Sequence, residues 1–333
     1  MHRRQVVAGL LAAPMVMSFA RTGNASTEWD LYIVTGLSSP IAGYLQQFAD
    51  EVKQKSEGEL VINVRLSGEL PFKPNEMVRI TSQGQVQLGE AIALFNSGTI
   101  PLLGVGGLPM LLGDVEDLKK AQPIIEKYIK PELDKIGVKV LFSYTWPSQN
   151  IFGSGDPIRS LADFKGRKLR TLGPQQAIML ERLGASSVTM TTPEVAVALE
   201  RGTVEGVFTA SLSVKGNRWE EFIHWGYLPN ATAGDDYVLV NMEAYNALSP
   251  KARTALDEVA AVWGPKITDG FTELDRASFD ELRKEYNVDL FFPPEDQIAE
   301  LEKLMQDSWD EWAQQTGPDA VAMLAEIRAA IGK

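Results

Sequence analysis

Residues 161–208 read LADFKGRKLRTLGPQQAIMLERLGASSVTMTTPEVAVALERGTVEGVF, and the alternation within them decides the fold. Lys168 to Thr171 form a short strand that Gly173-Pro174 turns. Residues 175–183 are helical, and Gly184 closes them. Residues 188–190 make a second short strand. Thr192, Pro193 and Glu194 then supply the cap, the proline and the acid that open a helix over 195–201. Gly202 ends it, and the chain returns as a strand over 204–208. Strand, helix, strand, helix, strand is the grammar of a mostly parallel sheet with helices on its faces.

The same grammar occurs upstream. Residues 29–34 are rich in strand formers, and Ser38 and Ser39 precede a helical pattern at Tyr44, Leu45, Phe48, Ala49 and Val52. Residues 60–66 alternate as a strand, 74–83 read as a helix and 86–94 as a buried strand. Further on, a helix is expected over 114–129 and a strand over 138–144 that Trp146-Pro147-Ser148 breaks. Later strands are expected at 237–241 and 289–293. Later helices are expected at 251–263, with continuation toward Tyr286, and at 295–313. Two α/β units, before and after about residue 148, predict two lobes. The late elements can complete either, so the chain crosses between them more than once. The expected division is 26–147 with 236–272 for one lobe, and 148–235 with 273–333 for the other. Multiple crossovers make a hinge whose lobes close on a ligand.

Composition bounds the function. The 333 residues are 44% hydrophobic and 23% charged, ordinary for a globular chain with two medium domains. A formal charge of −12 argues against nucleic acid or an anionic membrane as partner. His2, Arg3 and Arg4 precede the apolar run 6–19, and Gly23-Asn24-Ala25 offers a cleavage site after Ala25, so residues 1–25 read as an export signal. The adjacent arginines also suit the twin-arginine route. That segment holds three arginines and no acid, so −12 becomes −15 on its removal. No later stretch approaches the roughly 18 continuous apolar residues of a membrane span, so no direct membrane insertion is expected.

There is no cysteine, which removes thiol nucleophiles and cysteine metal sites. His224 is the one histidine beyond the signal; between Ile223 and Trp225 it reads as a packed core residue. No G-x-S-x-G elbow accompanies it. The glycine-rich run 102–109 lacks the register of a dinucleotide loop and reads as an apolar turn near the core. No clustered Asp/Glu pattern demands a metal, and no cofactor is expected.

Arg170 is the most specific chemistry in the chain. It follows Leu169 at the end of a buried strand, and a guanidinium there presents a fixed fork that matches a carboxylate. A strand-end salt bridge, with Glu194 or Glu205 as partner, is the alternative reading of the residue alone.

Several stretches in their order resemble the substrate-binding proteins of tripartite ATP-independent periplasmic (TRAP) transporters. They are IGVKVLFSY, DPIRSLADFKGRKLR, LGAS, TTPEVAVALERGTVEGV and YVLVNMEAYNALSPKARTAL, with FADEVKQKSEGELVINV matching the first helix-strand unit. The resemblance implies a two-lobed, type II-like periplasmic binding fold with a hinge and a long helix spanning both lobes. It implies a periplasmic receptor that hands an organic acid to the membrane permease subunits of a TRAP transporter. Arg170 matches the arginine that family members place on the substrate carboxylate. Thr209 falls where many members have an asparagine on the same group. Asn150 falls where sialic-acid-type members carry a second arginine, so a single cationic clamp is expected here.

Trp146, Phe152 and Phe208 lie beside these positions, and residues 88–94, with Glu90 and Ala91, are otherwise apolar. A monocarboxylate with an apolar or aromatic body, including 2-oxo and 2-hydroxy acids, follows as the expected ligand. The competing readings are a lyase or hydrolase on the same scaffold, with Glu90, Glu194 or Asp235 as base, and a sensory subunit.

Overall fold

The computed structural model describes residues 26–37, 39–113 and 115–333. The reading of residues 1–25 as an export signal lies outside them.

Nine strands form one mixed sheet: β1 Thr27–Tyr32, β2 Leu60–Arg65, β3 Leu88–Ile92, β4 Val138–Gly153, β5 Lys168–Thr171, β6 Ser186–Thr189, β7 Gly206–Thr209, β8 Trp225–Asn241 and β9 Asp289–Phe291. Their order is β2-β1-β3-β8-β4-β7-β5-β6, with β9 beside β8. The two flanks, β1 with β2 and β3 and β5 with β6 and β7, are parallel throughout. Helices covering such a flank bury both of its faces, and apolar runs such as Leu31-Tyr32-Ile33-Val34 satisfy that demand.

The antiparallel pair β4–β8 joins the flanks. Its strands run 16 and 17 residues, so each serves both lobes: the 236–240 end of β8 pairs with β3, and the 150–153 end of β4 pairs with β7. The expected break at Trp146-Pro147-Ser148 is corrected here. The strand continues through it, and the register between β4 and β8 slips between Trp146 and Gln149 and again between Gln149 and Ile151. A bulge accommodates a proline that cannot donate to the ladder, and it bends the strand without ending it. Likewise β8 begins at Trp225, well before the expected 237, because its first half is polar enough (Asn230, Thr232) to resemble a loop.

The helix Pro250–Lys284 spans 35 residues. Ser249 caps it by accepting from the Ala252 N–H at 3.1 Å. It packs on β4, on the helix Pro40–Lys55 of the first lobe and on the helix Ser211–Gly216 of the second. Gly264 permits that approach, since a Cβ there would stand 2.3 Å from the Ser143 carbonyl oxygen. Two further helices, Glu295–Thr316 and Pro318–Ile331, close the C-terminus. Trp309 anchors the first of them, donating from Nε1 to the Pro109 carbonyl at 2.8 Å. Among the described residues no helix is long and apolar enough to cross a membrane.

Candidate ligand-binding site

The carboxyl ends of strands from both flanks converge on one cavity at the β4–β8 junction. Thr35 follows β1, Ile92 ends β3, Arg170 and Leu172 stand at the end of β5, and Thr209 ends β7. Loops leaving the ends of parallel strands diverge there, which leaves a crevice in doubly wound sheets. Trp146, Gln149, Thr232, Asp235 and Asp236 line its floor from β4 and β8, and Leu212, Ser213 and Trp219 its far wall. The cavity holds about 70 Å³. At roughly 10–15 Å³ per water position, that is space for about five to seven waters, the scale of one small organic molecule.

Arg170 is 1% exposed. Its Nε and Nη2 both donate to the Met190 carbonyl, at 3.0 and 2.8 Å, so the fork is held from behind by the chain just past β6. It makes no ion pair with any described residue. Burial pulls its pKa down to about 9, with the field of Glu194 opposing. Arg170 still stays charged at neutral pH. The Trp219 ring lies 5.9 Å from the guanidinium carbon, close enough for a cation–π contribution. Neither structural partner considered from sequence is bonded to it. Glu205 pairs with Arg167 at 3.2 Å, and exposed Glu194 accepts from the Thr191 hydroxyl and N–H.

The other expected residues divide. Thr209, Trp146 and Glu90 line the cavity with Arg170. Trp146 donates to the Ser213 hydroxyl at 3.1 Å, and its ring meets Phe271 of the long helix edge-on at 4.6 Å. Asn150, Phe152, Phe208 and Ala91 do not line it. Phe208 alternates with Thr209 and so points into the main core; Phe152 packs in the second-lobe core. Ala91, between Glu90 and Ile92, joins the main core as well. Asn150 pairs with Thr209 in register, but its amide is spent on the Ser148 carbonyl and on Asn230. The bulge at 146–149 brings Gln149 to the cavity in its place. His224 is also corrected: it is exposed, and its neighbours Ile223 and Trp225 carry the packing.

Three buried acids also line the cavity, Glu90 from β3 and Asp235 and Asp236 from β8. Glu90 accepts from the Val34 N–H at 2.9 Å and the Tyr144 hydroxyl at 2.7 Å, and burial pushes its carboxyl up. Asp236 accepts from the Ala93 N–H at 3.3 Å; burial and then Glu90 push it well up. Asp235 accepts from the Thr145 hydroxyl at 2.8 Å, and burial raises it to about 7. No group of three or more acids or histidines among the described residues has the geometry to hold a metal ion. The site is therefore one held cation, paired with no described acid, on an apolar-walled cavity, an arrangement for binding an anion.

The sequence model of bacterial extracellular solute-binding proteins, family 7, matches residues 33–315. The chain belongs to this family. Its structural relatives are TRAP periplasmic solute-binding proteins. A Bordetella pertussis extracytoplasmic solute receptor binding pyroglutamic acid is 27% identical, with a TM-score of 0.86 over 91% of this chain and 100% of that one. A marine-metagenome TRAP protein specific for pyroglutamate is 25% identical, with a TM-score of 0.83 over 91% and 99%. The sialic acid-binding periplasmic protein of Vibrio cholerae is 21% identical over 95% of this chain and 97% of its own. Family 7 proteins of the TRAP type are receptors for small organic acids that work with membrane permeases. The two-lobed α/β architecture read from the repeated strand-helix units is that of these structures.

Sequence reasoning missed Trp219, Gln149, Thr35 and Thr232. Thr35 was within reach, because a polar residue just past an apolar strand marks the crevice end of a parallel sheet. Trp219 lies between strands in a run with no periodic signal.

Proposed function

We propose that the protein captures a small monocarboxylate with Arg170 as its one cationic clamp and delivers it to a TRAP permease. The observation that carries this reading is a fully buried guanidinium, held by a backbone carbonyl and paired with no acid, on the wall of the interlobe cavity. Burying an unpaired charge costs several kcal/mol, and a ligand carboxylate offsets that cost. Thr209 adds a hydroxyl beside it. Among the described residues no second cation lines the cavity, which disfavours dicarboxylates. Ile92, Leu94, Leu172 and Leu212 supply an apolar wall for the body of the ligand. Relatives that bind pyroglutamate, a compact ring with one carboxylate, fit the same description.

Two of the three lobe boundaries read from sequence, at 147/148 and 235/236, fall beside the β4–β8 bulge, and the third, at 272/273, falls within the long helix. In this reading residues 1–25 direct export. Closure about the bulge traps the ligand, and no turnover occurs. Glu90 has both oxygens occupied and Glu194 lies off the cavity, so two of the three candidate bases are unsuited to catalysis. A thermal-shift panel tests the ligand class. Pyroglutamate, 2-oxo acids or aryl acids should raise the melting temperature, and preferential stabilisation by succinate or sialic acid would refute it.

A further inference from the structure

Seven buried side-chain polar atoms have no hydrogen-bond partner among the described residues, and two of them belong to residues that line the cavity: Asp235 Oδ2 and Thr35 Oγ1. Leaving a buried acceptor unsatisfied carries its full desolvation penalty, so native proteins seldom keep one without a use. Nor is Asp235 free to turn away. Its Oδ1 is held by the Thr145 hydroxyl at 2.8 Å, and Thr145 is itself fixed by its N–H donating to Thr268 of the long helix at 2.9 Å. The residue is 3% exposed.

Asp235 is not a partner for Arg170 either. It sits on β8 and Arg170 on β5, with β4 and β7 between, or three strand spacings of about 4.8 Å. The acid whose field reaches Arg170 is Glu194. The residues lining the cavity thus include a cation on β5 and, on β8, an acid with one oxygen unspent.

We propose that Asp235, assisted by Thr35, reads an N–H or O–H donor that the ligand carries away from its carboxylate. The preferred ligands are then monocarboxylates with a remote lactam, amide or hydroxyl, and their unfunctionalised counterparts are rejected. Rejection follows because a ligand without the donor leaves Asp235 Oδ2 buried and unpaired, whereas one with it completes the network. This rests on the carboxylate-clamp reading above and adds a second point of recognition to it.

Calorimetry at pH 8, above the value of about 7 for Asp235, on matched pairs of monocarboxylates tests the inference: 4-hydroxyphenylacetate with phenylacetate, and 4-hydroxybutyrate with butyrate. In at least one pair the wild-type protein should favour the donor-bearing acid tenfold or more. Asp235→Ala should erase that preference by weakening the donor-bearing acid alone. Asp235→Asn, which keeps an acceptor on the same stem, should retain part of it. Thr35→Val provides an independent variant at the second unpaired atom and should reduce the preference about threefold. If carboxylates bind and require Arg170, yet no pair shows a preference that depends on Asp235, the inference is overturned and the clamp stands. If no carboxylate binds the wild-type protein, both fall.

Discussion

Arg170 donates twice to a single atom, the Met190 carbonyl oxygen, at 3.0 and 2.8 Å. Parallel pairing of β5 with β6 sets this up, since Arg170 registers with Val188 and the carbonyl two residues on comes into reach. A neutral carbonyl orients the guanidinium without neutralising it, so the cation remains available to an incoming anion.

Stability and binding therefore oppose each other at this position. Arg170→Met fills a similar volume and removes a buried charge that no acid compensates, so its desolvation penalty is lifted. The ligand-free variant should melt at or above the wild-type temperature. A drop of several degrees in scanning calorimetry would show that Arg170 is a structural residue.

Two buried acids give the ligand-free protein a predictable pH dependence. Burial raises Asp235 to about 7 and Asp275 to about 6, both from an ordinary 3.8. The folded state thus keeps protons that the unfolded chain releases. Their contribution to stability is complete below about pH 4 and is lost as pH rises through 6 and 7. Over that window the melting temperature should fall with rising pH, and Asp235→Asn should flatten the slope.

Asp275 has a second effect, on the wall of the site. From the middle of the long helix its Oδ1 accepts from the Leu212 N–H at 2.8 Å and from the Ser211 hydroxyl. It holds the start of the helix Ser211–Gly216, which brings Leu212 and Ser213 to the cavity. Asp275→Ala should cost about 1–3 kcal/mol by leaving the buried Leu212 N–H unpaired, while the Ser211 hydroxyl keeps the Asp275 carbonyl at 3.1 Å, and ligand affinity should fall with it. Chemical denaturation and calorimetry on one preparation would check both.

Two helical glycines should respond with opposite signs. Glycine in a helix interior costs about 0.5–1 kcal/mol relative to alanine. Gly43 has nothing within 4 Å of its would-be Cβ, so Gly43→Ala should stabilise by that amount. Gly264→Ala should destabilise, because its Cβ would meet the Ser143 backbone at 2.3 Å and push the long helix off β4. Urea midpoints of the two variants should move in opposite directions.

The regular flanks of the fold were legible in the sequence because capping residues, prolines and glycines punctuate each short element, as Thr191 to Gly202 do. Arg170, Thr209, Trp146 and Glu90 were legible as cavity residues through motif and strand end. The β4–β8 centre was not. Pro147 reads locally as a stop, and only the partner strand decides that it is a bulge. Asn150 was carried over from the resemblance alone, and the bulge places Gln149 at the cavity instead. On β7, Phe208 beside Thr209 was assigned by adjacency, where the two-residue period of a strand places it in the core.

Titration calorimetry of pyroglutamate and an aryl acid against wild-type protein, Arg170→Lys and Arg170→Met tests the central claim most directly. A lysine keeps the charge but cannot hold Met190 and grip a carboxylate with one planar fork. The account predicts measurable affinity for at least one acid in the wild type, a loss of tenfold or more in Arg170→Lys and no detectable binding in Arg170→Met, with all three proteins folded. Undiminished affinity in Arg170→Met would contradict it.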